Sequence, residues 1–324
     1  MLRVTIVLGC LMIAFAAFAA DEAGTYPRRP VRLINPYPPG GASDPSCRLL
    51  ADSLTKSLGQ QFVVDNRGGA AGNIGAALVA KAAPDGYVLL FASGTIFTIN
   101  PYLYKSQGFD PQQDFDPVAN FATLPNVIVV HPSLPVRTLA EFTQYVKGQP
   151  ENTLNYASNG TGSSLHLAAE LYQKMTGTRM QHIPYVSPGL ATQDTISNRA
   201  QVVFHLLPAV APQVKAGTLR ALALLATTRS TVLPDVPTSA EAGIPGLISS
   251  NFYPVMAPKG TPKAVVAKLN REINRALTDA TLRARVMDMG MALLGGKPED
   301  VMRSIAAEGA RWSEVIRVAG IKAD

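Results

Sequence analysis

The sequence predicts an α/β protein of two similar lobes. Short β-rich runs alternate with amphipathic helical stretches and Pro/Gly turns, and this pattern comes in two sets with two chain crossings between them. The strand-like runs are continuously apolar, which implies strands covered on both faces and so a mostly parallel sheet flanked by helices in each lobe. Val31 to Asn35 reads as the first strand, followed by a Pro/Gly turn and a helix from about Ser43 to Leu58. Gln61 to Val64 is the next strand, a helix follows the loop Asn66 to Gly72 and runs to about Ala82, and Tyr87 to Ala92 closes the set.

The second set opens at Val127 to Val130 and continues with a helix at Leu139 to Lys147, a strand at Leu154 to Ala157 and a helix at Ser164 to Met175. Strands near Met180 to Ile183, Val202 to Leu206 and Leu219 to Ala226 complete it. Asn251 to Met256 reads as one more strand, and two terminal helices follow, Lys263 to Leu277 and Pro298 to Ala319. Residues 21–125 with 251–324 form one expected lobe and 126–250 the other, and two crossings, near Phe121 to Val127 and Ser249 to Pro258, make a hinge.

Residues 1–20 have the layout of a secretory signal peptide. Arg3 supplies a short basic region, Val4 to Phe18 is apolar apart from Thr5 and Gly9, and Ala17-Phe18-Ala19 offers a small-residue cleavage site. Export to the periplasm is therefore expected, with the mature chain starting near Ala20 or Asp21. Too few apolar residues precede Cys10 for a lipoprotein signal, so Cys47 alone survives processing and no intramolecular disulfide can form. Cys47 lies in a helical pattern and reads as a small buried hydrophobe. The net charge of +6 is modest and the basic residues are scattered, so there is no nucleic-acid patch; a mildly basic protein suits an anionic ligand.

Two strand-to-helix loops carry glycine and hydroxyl residues: Pro38-Pro39-Gly40-Gly41-Ala42-Ser43-Asp44 and Ser158-Asn159-Gly160-Thr161-Gly162-Ser163-Ser164. Glycine lets the backbone approach a ligand, and a following helix presents unpaired N–H groups and the positive end of its dipole, a combination that favours anions. The same residues also serve as ordinary βα loops in which Ser43 or Asp44 and Ser163 or Ser164 cap helices. Gly68-Gly69-Ala70-Ala71-Gly72-Asn73-Ile74-Gly75 lacks the G-x-G-x-x-G spacing of a dinucleotide fingerprint. There is no G-x-S-x-G and no paired metal-ligand spacing. His166 and Glu170 share a helix face, and His131, His182 and His205 sit at or near strand ends without a nearby acid. No catalytic residue, metal or cofactor is therefore expected.

Those loops, in their order, resemble the Bug family of extracytoplasmic solute receptors, the substrate-binding subunits of tripartite tricarboxylate transporters. The resemblance spans the mature chain. It runs through Pro38 to Asp44, Arg67 to Ala76, Ala80 to Tyr87, Asn155 to Glu170, Ile183-Pro184-Tyr185, Leu219 to Ala223, Leu233 to Thr238, Glu241 to Gly246 and Ala257 to Pro262. It implies a two-lobed periplasmic binding protein of the type II, Venus-flytrap kind, in which the two glycine-rich loops pin one ligand carboxylate, often with ordered water. Carried over residue by residue, one lobe would contribute Tyr37, Gly40, Gly41, Ala42, Ser43 and Asp44. The other would contribute Ser158, Asn159, Thr161, Ser163, Ser164 and His166. Ser93, Thr95, Tyr185 and Pro188 would line the rest of the cleft.

The sequence departs from the family where many relatives carry acids, with Val203 and His205 in their place, and Ser187-Pro188-Gly189 stands where relatives favour Lys-Gly-Gly. A cleft-facing His205 would favour a second anionic group and reject an ammonium; equally, it packs at a strand end. The implied partners are a small carboxylate, a dicarboxylate, tricarboxylate or aromatic acid, and the membrane subunits of a transporter, with the receptor itself a monomer. A sensor feeding a membrane kinase would use the same fold and site. A secreted hydrolase with Ser163 or Ser43 as nucleophile and His166 as base is the enzymatic alternative, and it lacks an orienting acid.

Overall fold

The computed structural model describes residues 25–39, 43–185 and 187–322. The expected signal peptide, Cys10, Gly40, Gly41 and Ala42 lie outside the described residues. The first half of the chain runs β1 (Val31–Asn35), α1 (Ser43–Leu58), β2 (Phe62–Asn66), a 3₁₀ turn at Ala70–Gly72, α2 (Asn73–Ala80), β3 (Val88–Phe91), α3 (Thr95–Thr98), α4 (Asn100–Leu103) and β4 (Phe115–Val130). It continues through α5 (Leu139–Lys147), β5 (Asn155–Ser158), α6 (Ser164–Thr176), β6 (Gln181–Pro184), α7 (Pro188–Ile196), β7 (Val202–Leu206), α8 (Leu207–Lys215) and β8 (Arg220–Leu224). The return is β9 (Ser250–Pro258), α9 (Lys263–Ala276), α10 (Ala280–Asp288), β10 (Ala292–Gly295) and α11 (Pro298–Ala319).

The strands follow the order β2-β1-β3-β9-β4-β7-β5-β6, with β10 and β8 also pairing with β4. Continuous apolarity has the cause read from the sequence, because both faces are covered. In β1 and β3, Leu33, Leu89 and Phe91 enter one core, while Ile34, Leu90 and Ala92 enter another on the opposite face. In the second lobe Ile128, Val130, Val202 and Phe204 share one core, and Val127, Val129 and Val203 share the other.

Pairing is parallel at the flanks, β2-β1-β3 and β7-β5-β6. In the middle it is antiparallel, because β4 and β9 run in opposite directions through the sheet. The expected strand Val127 to Val130 is the end of a much longer one. Pro117 and Pro125 disguise its first part, since proline removes a ladder donor, and β4 accommodates this with register shifts between Pro117 and Ala119 and between Asn120 and Thr123.

Residues up to Pro125 of β4 pair with β9 and β10, and residues from Asn126 onward pair with β7 and β8. This change of partner supports our proposed division at 125/126. We propose that α11 belongs to neither lobe alone. Val301 and Ile305 of α11 pack in a first-lobe core, but Trp312, Val315, Ile316 and Ile321 pack with Phe142 and Tyr172 of the second. A 22-residue helix is long enough to bridge the lobes, so the hinge has three crossings, β4, β9 and α11. Lys174 Nζ and Glu314 Oε1, 3.1 Å apart, tie α11 to α6.

Cys47 is free and fully buried in the core of the first lobe. Phe91, also fully buried, stacks on Tyr253 at 5.7 Å and meets Phe121 edge-on at 5.6 Å, so it joins β3 to both crossing strands. Phe91→Ala is expected to cost about 3–5 kcal/mol of stability, measured by chemical denaturation.

Candidate ligand-binding cleft

Between the lobes lies a cleft of about 510 Å³. From the first lobe come Tyr37, Ser43, Ser93 and Thr95, and from the second Asn159, Thr161, Ser163 and Ser164. Both helices that follow the two glycine-rich loops begin in the cleft, α1 at Ser43 and α6 at Ser164. Their first-turn N–H groups have no partner within the helix.

The second loop is fully described. Gly160 and Gly162 take left-handed φ values of 97° and 76°, and a Cβ on Gly162 would lie 2.6 Å from Leu103 of the opposite lobe. The left-handed backbone favours glycine at both positions, and a Cβ at Gly162 would displace the Leu103 side-chain tip. Ser163 caps α6, its hydroxyl accepting the His166 N–H at 3.2 Å. In the first lobe the Tyr37 phenol oxygen is buried beside the Ser93 and Thr95 hydroxyls without a well-formed hydrogen bond, and burial raises its pKa. Ser93 and Thr95 bond to each other at 3.0 Å. Asn159 Oδ1 is likewise buried and unpartnered. Such polar atoms from both lobes are what a bound ligand or water would satisfy.

Several expected ligand contacts sit behind this surface. Asp44 is held by Asn66 Nδ2 at 3.0 Å and Arg48 at 3.1 Å, and it supports the first loop. Ser158 is fully buried and shares a 2.7 Å hydrogen bond with His182 Nε2. His166 does not line the cleft. Its Nδ1 accepts the Gly162 N–H at 3.0 Å, and its ring stacks on His182 at 4.0 Å. With that nitrogen occupied, the ring is no base for Ser163, which removes the hydrolase geometry. Tyr185 donates to Asp194 at 2.8 Å, away from the lining, and Pro188 begins α7.

His205 is 1% exposed and lies outside the lining. The pleat decides this: His205 points to the same side as the buried Val203, and Leu206 reaches the cleft instead. So placed, His205 does not face a ligand's second anionic group. Sequence reasoning also missed Asn100, Leu103, Tyr104, Asn251 and Tyr253, which line the cleft from α4, its end, and β9. A reader could place Asn251 on a strand, but not on which face. No Lys, Arg, His, Asp or Glu side chain lines the cleft among the described residues.

The glycine run Gly68 to Gly75 is a support for the first loop. A Cβ on Gly75 would lie 2.7 Å from Pro36 and 2.8 Å from the Arg67 carbonyl, and one on Gly72 would lie 3.3 Å from the Tyr37 ring. Ala70 and Ala71 take left-handed φ values of 46° and 52°, and the Ala71 carbonyl accepts from Asn100 Nδ2 at 3.2 Å. A second groove of about 570 Å³ takes Ser250 and Phe252 of β9, whereas the cleft takes Asn251 and Tyr253. It therefore lies on the opposite face of the hinge strand, and it has neither loop. Among the described residues, no three His, Cys, Asp or Glu side chains cluster to hold a metal ion.

The sequence model of the Tripartite tricarboxylate transporter family receptor matches residues 46–321. The chain belongs to this family. Protein BugT of Bordetella pertussis is 39% identical over 324 residues, covering 99% of each chain. The solved structure of R. palustris Rpa4515 with adipate is 37% identical with a TM-score of 0.81, covering 92% of this chain and all of that one. MatC from Rhodopseudomonas palustris with bound malate is 30% identical with a TM-score of 0.75, covering 90% of this chain and all of its own. The family is one of solute-binding receptors, so this chain is a receptor and not an enzyme. Among the described residues no helix is long and apolar enough to cross a membrane.

Burial, and secondarily the neighbouring His182, lowers the His166 pKa to about 3; burial lowers that of His182 to about 4. Both rings are neutral when folded, whereas in the unfolded chain they titrate near 6.5. Stability is present above that value and lost as pH falls toward 4 and then 3. The expected slope is up to about 1.4 kcal/mol per pH unit for each histidine, seen by denaturation across that window and reduced in His166→Gln. Gly75→Ala is expected to cost about 1–3 kcal/mol and to weaken ligand binding by pushing the Tyr37 turn, read by calorimetry.

Proposed function

We propose that this receptor captures a small carboxylate, a dicarboxylate, tricarboxylate or aromatic acid, between its lobes in the periplasm and delivers it to a tripartite tricarboxylate-type membrane transporter. The observation that carries the reading is that two helices, one from each lobe, start in one cleft. Their N–H groups and dipole ends favour negative charge, and hydroxyls and amides supply the remaining hydrogen bonds. Adipate in Rpa4515 and malate in MatC give the reading its chemical class. Closing the lobes brings both helix ends onto one carboxylate, so the ligand stabilises the closed state by contacts the open state cannot make.

The delivery step is supported by the description of the family as receptors of tripartite tricarboxylate transporters. A thermal-shift screen against carboxylates and amino acids tests the capture step. A ligand at a hundredfold excess over its Kd adds about 2.7 kcal/mol, a rise of roughly 5 °C or more. Ser163→Ala should shrink that shift, and the absence of a shift with every carboxylate sinks the reading.

A further inference from the structure

We infer that the cleft selects a carboxylate with a hydrocarbon body, and that Leu206 and Leu103 set this preference; the inference rests on the receptor reading above. Beside the polar loops the cleft has an aliphatic wall made by Ile99, Leu103 and Leu206. The wall is drawn from both lobes and adjoins the anion site, since Leu103 sits against Gly162. Leu206 is half-buried and packs against a core of each lobe, which fixes its position at the end of β7. Parity in β7 presents this leucine, and not His205, to the ligand.

The wall and the absence of charged side chains among the described lining residues together define the ligand class. An ammonium on the ligand would find no carboxylate among the described lining residues. A hydroxyl pressed against Ile99, Leu103 and Leu206 would give up its hydrogen bonds to water and gain none, whereas a methylene there leaves water favourably. One carboxylate is held by N–H groups and hydroxyls, and the carbon chain lies along the leucines. Discrimination of this kind, an apolar surface against an added polar group, is worth on the order of 10–100-fold.

The test uses pairs of probes matched in length, succinate with malate and glutarate with glutamate, and hexanoate as a chain with a single carboxylate. Calorimetry with the purified protein should show the unsubstituted member of each pair binding about 10–100-fold more tightly. Leu206→Asn should narrow the ratio, while Ser163→Ala should weaken both members by the same factor. Leu103→Asn provides the same arm where Leu206→Asn fails to fold, as judged by circular dichroism. Carboxylates that bind without the pairwise preference, or a preference unchanged in both leucine variants, overturn this inference and leave the receptor reading standing. Folded protein that binds none of these probes overturns this inference, and protein that also shifts with no carboxylate in the thermal screen overturns the receptor reading as well.

Discussion

The antiparallel pairing of β4 with β9 is the constraint on which the rest of the molecule depends. These two strands lie side by side from Phe115 opposite Pro258 to Pro125 opposite Ser250, and they carry the chain from one lobe to the other. Each lobe builds its sheet outward from them, β3 and β10 on one side of the hinge, β7 and β8 on the other. Because side chains alternate along a strand, the register also assigns faces: Asn251 and Tyr253 go to the cleft, Ser250 and Phe252 to the groove behind it. A slip of one residue would exchange the two surfaces. The α11 helix adds a third tie by packing in a core of each lobe.

Among the described residues the cleft presents helix N-termini, hydroxyls and amides and no charged side chain. Helix N-termini and hydroxyls are weakly hydrated compared with an ammonium or guanidinium, so presenting them costs little when the ligand is absent. The buried histidine stack fits the same scheme. His166 and His182 stay neutral, and they hold the second loop from behind through Gly162 and Ser158. Tyr156 stacks on His182 at 4.8 Å and donates to Glu170 at 2.6 Å, which anchors the stack to α6. A protonated ring there would add a cation to a desolvated site and break the Gly162 hydrogen bond.

Glycine serves two purposes in this protein, and the structure separates them. In the second loop it brings the backbone to the cleft surface and close to Leu103 of the opposite lobe. In the run from Gly68 to Gly75 it allows one loop to lie directly beneath another, so that Pro36 and Tyr37 are set from below. The left-handed Ala70 and Ala71 show how tightly that segment is folded, since each costs about 1–2 kcal/mol relative to an ordinary conformation.

Composition, periodicity and loop motifs by themselves determined the α/β class, most element positions and the two loops that flank the cleft. These are local properties: β1 and β7 are short runs rich in apolar residues, and α5 joins apolar spacing to the Thr138–Glu141 capping box. Tertiary structure decided the rest. The first part of β4 stayed hidden because Pro117 is accommodated by a register shift against β9, a partner more than a hundred residues away, and Pro125 stands where β4 changes partner. His166 and Ser158 stand in the right motif, yet packing turns them behind the loop, and the pleat gives the cleft Leu206 instead of His205. Which face a residue occupies depends on what the opposite face buries, and that is settled only when the two lobes have closed their cores.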